Sequence, residues 1–91
     1  MAVAVKIPPA LRPATDGESE VRVEGETVSE VLEALFTRFA ELRGRIADES
    51  GALRRFVNIY VGGEDIRFLE GLETPVVDGS ELTILPAVAG G

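Results

Sequence analysis

Two short runs near the start of the chain alternate between apolar and polar residues, which is typical of half-buried β-strands. In the first run, every second position from Val3 to Ile7 is apolar, and two prolines end it because proline has no amide hydrogen to donate to a sheet. The second run covers residues 20–24. Residues 8–18 contain three prolines and an Asp-Gly pair, so they are predicted to form a loop. We expect the two strands to pair.

A helix is predicted to begin at Thr27. Thr27 and Glu30 match a capping box, in which the threonine hydroxyl accepts from the Glu30 amide and the carboxylate accepts from the Thr27 amide. Apolar residues then recur at spacings of three and four, which indicates a helix that covers a sheet. This stripe consists of Val28, Val31, Leu32, Leu35, Phe36, Phe39 and Leu42. We expect Gly44 to end the helix, and residues 43–53 to be irregular with Ile46 as an apolar anchor.

The second half of the chain predicts three more strands. Residues 56–61 are rich in branched and aromatic side chains, and Gly62-Gly63 is typical of a two-residue hairpin turn leading into a strand over residues 64–68. An Asp-Gly turn precedes a last strand over residues 82–85, which Pro86 is expected to end. The order β-β-α-β-β-β predicts an α+β fold in which one main helix crosses a mixed sheet. The β-grasp arrangement fits this order, although other small α+β folds share it.

Length and composition restrict the function. The 91 residues suffice for one domain, predicted over residues 1–86, and a domain of this size leaves little room for a deep substrate cavity. The chain contains no histidine and no cysteine, which excludes an imidazole base, a thiolate nucleophile, a disulfide and the usual zinc ligands. Paired acidic residues at 48–49 and 16–18 lack the spacing of a calcium loop. We therefore expect neither an enzyme nor a metal site.

The charge balance indicates which partners to expect. Sixteen acidic and nine basic residues give a net charge of −7, which repels nucleic acids and anionic lipids and attracts basic protein surfaces. No apolar run approaches the roughly 20 residues that span a bilayer. We expect a cytoplasmic protein that binds other proteins, binds neither nucleic acid nor membrane, and is a monomer when free.

The candidate for chemistry is the C-terminal segment, residues 87–91. It follows Pro86 with no charge and no large side chain, so we expect a flexible tail that can extend up to roughly 17 Å into a partner's active site. Its residues are Ala87, Val88, Ala89, Gly90 and Gly91. Glycines fit a narrow channel and would present the Gly91 carboxylate end-on. An ionised carboxylate is a poor electrophile, so a partner enzyme would have to activate it with ATP. The alternative is a frayed end without chemistry.

The order of elements together with the Gly90-Gly91 ending resembles the ubiquitin-like sulfur carriers, the ThiS/MoaD family. Within that family, residues 55–61, 64–65, 67–68 and 83–91 resemble the carriers of thiocarboxylate-dependent cysteine synthesis, as do residues 7–8 and 11–13. The resemblance implies that an E1-like enzyme adenylates Gly91 and that a sulfur donor then converts it to a thiocarboxylate. It also implies a pyridoxal-phosphate cysteine synthase as acceptor and a metallopeptidase that releases cysteine, with each cofactor held by a partner enzyme.

Strand parity predicts a partner-binding patch on the sheet face opposite the helix. If Val57, Ile59 and Val61 face the core, their neighbours in the chain point outward. The predicted patch consists of Phe56, Asn58, Tyr60, Thr83 and Leu85, with Glu64 and Asp65 beside it for contact with a basic partner. The alternative is that Phe56 packs under residues 43–53.

Other functions stay open from the sequence alone. A ubiquitin-like modifier would use the same adenylate of Gly91 to form an isopeptide with a lysine of another protein. Lys6 is the only lysine of this chain, so chains built through several of its own lysines are excluded. A thiamin carrier, a small subunit of molybdopterin synthase and a β-grasp adaptor without tail chemistry are further alternatives.

Overall fold

The part of the chain that the structure describes forms one sheet and two α-helices. The computed structural model describes residues 2–55 and 57–86, with only the backbone at Pro86. In chain order the elements are β1 (Ala2–Lys6), a 3₁₀ helix (Pro9–Thr15), β2 (Glu20–Glu24), α1 (Val28–Arg38), α2 (Ala40–Ile46), β3 (Val57–Val61), β4 (Glu64–Asp65), two 3₁₀ turns (Ile66–Phe68 and Gly71–Glu73) and β5 (Glu81–Pro86). The strand order is β2-β1-β5-β3-β4, with β1 and β5 parallel and the other neighbours antiparallel. The predicted mixed sheet and α+β class are confirmed.

One face of the sheet carries the core, and α1 lies across it. The side chains of Val5, Ile59 and Ile84 are at most 1% exposed and come from three neighbouring strands, as strand parity predicts. The apolar stripe of α1 is buried against them from Val28 to Phe36. Because every second strand residue points the other way, the opposite face of the sheet lies away from α1.

The predicted cap of α1 is present, with one difference. The Glu30 amide donates to Thr27 Oγ1 at 3.2 Å, as a capping box requires. The Glu30 carboxylate, however, accepts from the amide of Glu26 at 2.9 Å instead of that of Thr27. The first bond satisfies an amide that the first turn of a helix leaves without an intrahelical partner, and the second holds the residue that precedes the cap.

The prediction of one helix ending at Gly44 is wrong. Phe39 leaves the helical conformation at φ −131° and ψ 84°, and α2 begins directly after it and runs through Gly44 to Ile46. This change of direction buries Leu42 and the predicted anchor Ile46 completely. Arg43 joins the two helices, because its guanidinium forms two hydrogen bonds with the Glu33 carboxylate and lies over the Phe36 ring.

Two connections also differ from the predictions. Residues 9–15 form a 3₁₀ helix instead of a loop, because Leu11 and Ala14 turn inward and are buried. The fourth strand ends at Asp65 instead of residue 68, where a 3₁₀ turn places Ile66 in the core. The hairpin turn before it is confirmed, since both glycines have the positive φ angles, 58° and 88°, that such a turn requires.

Candidate partner-binding site

The open face of the sheet brings together most of the predicted patch. Asn58 lies opposite Leu85 and Tyr60 lies opposite Thr83 in the antiparallel register of β3 and β5. Side chains of residues directly opposite one another share a face, so these four form one surface. Leu85 is 45% exposed and the other three are partly buried. We refer to Asn58, Tyr60, Thr83 and Leu85 as the open-face patch.

The two acidic residues of the β3–β4 hairpin lie on different faces. Asp65 is opposite Tyr60 and therefore belongs to the open face, where its carboxylate accepts from the Arg67 amide at 2.9 Å. Glu64 is opposite Val61, whose side chain packs against the core. The register therefore places Glu64 on the helix side of the sheet, away from the open-face patch.

Beside the patch, Lys6 forms the charged part of the open face. Lys6 pairs with Thr83 across the parallel strands β1 and β5. Its Nζ donates to the Glu20 carboxylate at 2.6 Å and lies 3.8 Å from that of Glu81. The hydrogen bond with Glu20 raises the pKa of Lys6 and lowers the pKa of the Glu20 carboxyl. This part of the face is polar, whereas Tyr60 and Leu85 supply apolar area.

Arg67 holds the start of β3, a role that the sequence did not indicate. Its Nη2 donates to the carbonyl oxygens of Arg55 at 3.3 Å and Val57 at 3.1 Å. Val57 pairs with Pro86, the last residue of β5. Arg67 thus fixes the backbone beside the point where the sheet ends and residues 87–91 follow in the sequence.

Several predicted site residues fall outside the described part of the chain. These are Phe56 of the patch and the whole C-terminal segment, Ala87, Val88, Ala89, Gly90 and Gly91. Their predicted roles rest on the sequence. What the structure provides is the position of Pro86, which lies opposite Val57 at the end of the open-face patch.

The described residues form a depression of about 410 Å³ that is lined by Asp48, Glu49, Ser50 and Arg54 and is wide open to solvent. A cavity between α1 and the loop after α2 has a volume of about 30 Å³, which is room for about one water molecule. Over residues 2–55 and 57–86, no three His, Cys, Asp or Glu side chains converge in a way that could hold a metal ion. Within the same ranges, the helices are too short or too polar to cross a membrane.

A mixed five-stranded sheet crossed on one face by α1 defines this molecule as a ubiquitin-like β-grasp protein. The chain belongs to the ThiS family, whose match covers residues 5–91. It is 48% identical to the sulfur carrier protein CysO of Mycobacterium tuberculosis over 93 aligned positions, which cover all of both chains. The predicted fold and family resemblance are both confirmed.

Solved structures agree with this assignment. A chain of the BexX/CysO complex of Amycolatopsis orientalis matches with a TM-score of 0.90 and 49% identity, covering 98% of this chain and 99% of that one. Small archaeal modifier protein 1 of Methanosarcina acetivorans matches with a TM-score of 0.86 and 40% identity, covering 99% of this chain and 96% of that one. The sequence relatives and the family support a role as a sulfur carrier.

Proposed function

We propose that this chain carries sulfur as a thiocarboxylate on Gly91. The observation that carries the proposal is the extent of the family match, which runs to residue 91 and so includes the Gly90-Gly91 ending. Identity of 48% with CysO over the whole of both chains supports the same role. In this proposal residues 87–91 are a tail that enters the active sites of partner enzymes.

The proposed chemistry takes place in two steps on an E1-like partner. The Gly91 carboxylate is ionised at neutral pH and too poor an electrophile to react with sulfide directly. One carboxylate oxygen therefore bonds to the α-phosphorus of ATP, and pyrophosphate leaves. Hydrosulfide then attacks the carbonyl carbon, AMP leaves with the electrons of the carbon–oxygen bond, and a proton is released. The chain is a co-substrate in this cycle, and the partner binds the ATP.

The proposed acceptor is a pyridoxal-phosphate cysteine synthase that acts on an activated serine. A metallopeptidase would then release cysteine from the adduct, and all of these steps would take place in the cytoplasm. Support comes from the 48% identity with a protein named CysO and the 49% identity with a chain of a complex named BexX/CysO. The pyridoxal phosphate and the metal ion belong to the partner enzymes.

We propose that the open-face patch docks these partners. β5 contributes Thr83 and Leu85 to the patch and ends at Pro86, directly before the tail. A partner that covers the patch would therefore have the tail beside it. Tyr60 and Leu85 supply apolar area of the kind that is buried at protein interfaces.

A role as a protein modifier is the second candidate. Its support is the 40% identity with a solved structure named small archaeal modifier protein 1. In that function an amine of a target lysine would attack the adenylated Gly91 and displace AMP, forming an isopeptide. Both functions share the adenylation step and differ in the nucleophile that follows.

Intact mass spectrometry of the protein from its native cells tests the proposal. Exchange of oxygen for sulfur and oxidation of Met1 both add about 16 Da, so the sample is measured with and without iodoacetamide. Only the thiocarboxylate is expected to be alkylated, because the chain has no cysteine. We expect an alkylated C-terminal peptide that ends at Gly91.

A matched control is the protein incubated with an E1-like enzyme and sulfide but without ATP, which should show no alkylation. Absence of an alkylatable group even after incubation with enzyme, ATP and sulfide would contradict the carrier function. Recovery of Gly91 in an isopeptide with cellular proteins would instead support the modifier function.

A further inference from the structure

Phe68 is the most exposed large apolar side chain of the part of the chain that the structure describes. It is 85% exposed, and the next residue, Leu69, is 40% exposed. Single exposed apolar residues are common, but a phenylalanine that is almost fully in water loses the favourable free energy of burying its ring. Two adjacent exposed apolar residues form a small hydrophobic projection, which we call the Phe68 knob.

The knob is held in a defined position. Ile66, two residues earlier, is 2% exposed and anchors the 3₁₀ turn in the core. Asp65 caps this turn by accepting from the Arg67 amide at 2.9 Å. The Arg67 side chain fixes the other side through its bonds to two carbonyl oxygens at the start of β3. Phe68 therefore projects from a fixed turn, and such preorganisation lowers the entropy lost on binding.

The position of the knob relates it to the end of the sheet. Phe68 follows β4, the edge strand, and is adjacent to Arg67, which bonds to the carbonyl of Val57. Val57 pairs with Pro86, after which the C-terminal segment begins. An enzyme that takes up residues 87–91 approaches the end of β5 at Pro86, and the bond of Arg67 to Val57 connects this end of the sheet to the turn that carries Phe68.

The charges near the knob indicate what kind of surface it fits. Residues 64–73 contain four acidic side chains and one arginine, and that arginine is occupied by backbone carbonyls. Opposite charges across an interface favour association of the correct partner. The geometry points to an apolar pocket with a basic rim, at the entrance of the adenylating enzyme's active site, as the partner of the Phe68 knob.

This inference rests on the proposed function, because it needs an enzyme that takes up residues 87–91. We assign the knob to the adenylating enzyme because activation of Gly91 comes before both sulfur transfer and conjugation. Phe68 and Leu69 are not residues whose bonds change in the proposed reaction, so the knob would contribute equally to binding substrate and transition state. Loss of such an interaction raises KM and leaves kcat unchanged.

The test measures pyrophosphate release by the E1-like enzyme of the same organism at varied concentrations of this chain. Phe68→Ser should raise KM for the chain by about tenfold or more, the range of a buried aromatic anchor, with kcat within twofold of wild type. Phe68→Leu should restore most of the affinity. Added NaCl should raise the wild-type KM because it screens the charges of the rim.

The matched control is Val77→Ser. Val77 is 66% exposed and precedes the start of β5, whereas Pro86 lies at the end of that strand. The Val77→Ser substitution should leave KM unchanged. Thermal unfolding checks that both variants fold as wild type does. A Phe68→Ser variant with wild-type KM would overturn the assignment. If the wild-type chain forms a concentration-dependent dimer and the Phe68→Ser variant does not, the partner of the knob is a second copy of the chain and the assignment is also overturned. If the wild-type chain releases no pyrophosphate, the proposed function fails and this inference fails with it.

Discussion

At the scale of single residues, the amine of Lys6, the only lysine in the sequence, is held by carboxylates of the open face. Glu20 and Glu81 both lie within 4 Å of Lys6 Nζ, and the hydrogen bond with Glu20 raises the pKa of the amine. The two carboxylates thus favour the charged form of the Lys6 amine on the open face.

The same ion pair makes stability depend on pH. Lys6 lowers the pKa of the folded Glu20 carboxyl below its ordinary value of 4.5, so the stabilisation is present above pH 4.5 and is lost as acid protonates Glu20. At the alkaline end, the raised pKa of Lys6 means that its contribution is present below pH 10.5 and is lost as the pH rises through the raised value. Both partners are exposed, so the contribution is small.

We expect Glu20→Gln to lower Tm at pH 7 by a few degrees at most, and the difference from wild type to shrink towards zero as the pH falls below 4.5. Thermal unfolding followed by circular dichroism between pH 3 and pH 8 measures it. Glu18→Gln, which removes an exposed carboxylate from the preceding turn, is the control. A difference in Tm that stays constant across this range would show that the ion pair does not contribute.

At the scale of elements, two glycines, one before α1 and one inside α2, tolerate a side chain to different degrees. A Cβ atom on Gly25 would lie 2.8 Å from the Val31 amide nitrogen and 2.9 Å from Val31 Cγ2, so α1 can approach the end of β2 only because residue 25 has no side chain. Gly44 lies inside α2, and a Cβ atom there would meet nothing within 4 Å.

We therefore expect opposite effects from the same substitution. Gly25→Ala should destabilise the fold by about 1–3 kcal/mol, because α1 has to shift away. Gly44→Ala should stabilise it by about 0.5–1 kcal/mol, since alanine is a better helix former than glycine. Urea unfolding of the two variants measures both changes. Destabilisation by Gly44→Ala would contradict the assignment of this residue to an open position of α2.

The sequence predicts an element correctly where its apolar residues recur with the period of a single strand or a single helix. The strands were found by their alternation, whereas the break at Phe39 has no proline or glycine to mark it. The tertiary structure sets this break. Glu33 and Arg43 would lie roughly 15 Å apart along a continuous helix, so their ion pair requires the chain to turn.

The same limit explains why the knob was not predicted. Ile66 and Phe68 alternate with a polar residue, and a strand would place both on the core face. The 3₁₀ turn buries the first and exposes the second. For the open-face patch, parity within β3 and β5 was sufficient. The two-residue turn pairs Val61 with Glu64, so the same parity continued across the hairpin places Glu64 on the core face, a step that the prediction of the patch did not take.

At the scale of the whole molecule, folding and the proposed chemistry belong to different parts of the chain. Every buried apolar side chain that the structure describes lies between Val3 and Ile84. The predicted reactive end, Gly91, comes seven positions after Ile84 in the sequence. A carrier of this kind can keep one stable core while its end is modified, released and modified again.

Deletion of Gly90 and Gly91 tests this separation directly. We expect the truncated chain to unfold with the wild-type Tm, since the buried apolar side chains that the structure describes all lie between Val3 and Ile84. We also expect it to form no thiocarboxylate with an E1-like enzyme, ATP and sulfide. Gly91→Ala is the matched variant, because it keeps the length and the carboxylate and adds only a Cβ atom. We expect it to react more slowly than wild type, since a narrow channel excludes that atom. A truncated chain that still supports sulfur transfer would exclude the carrier function and favour an adaptor whose sheet face alone is active.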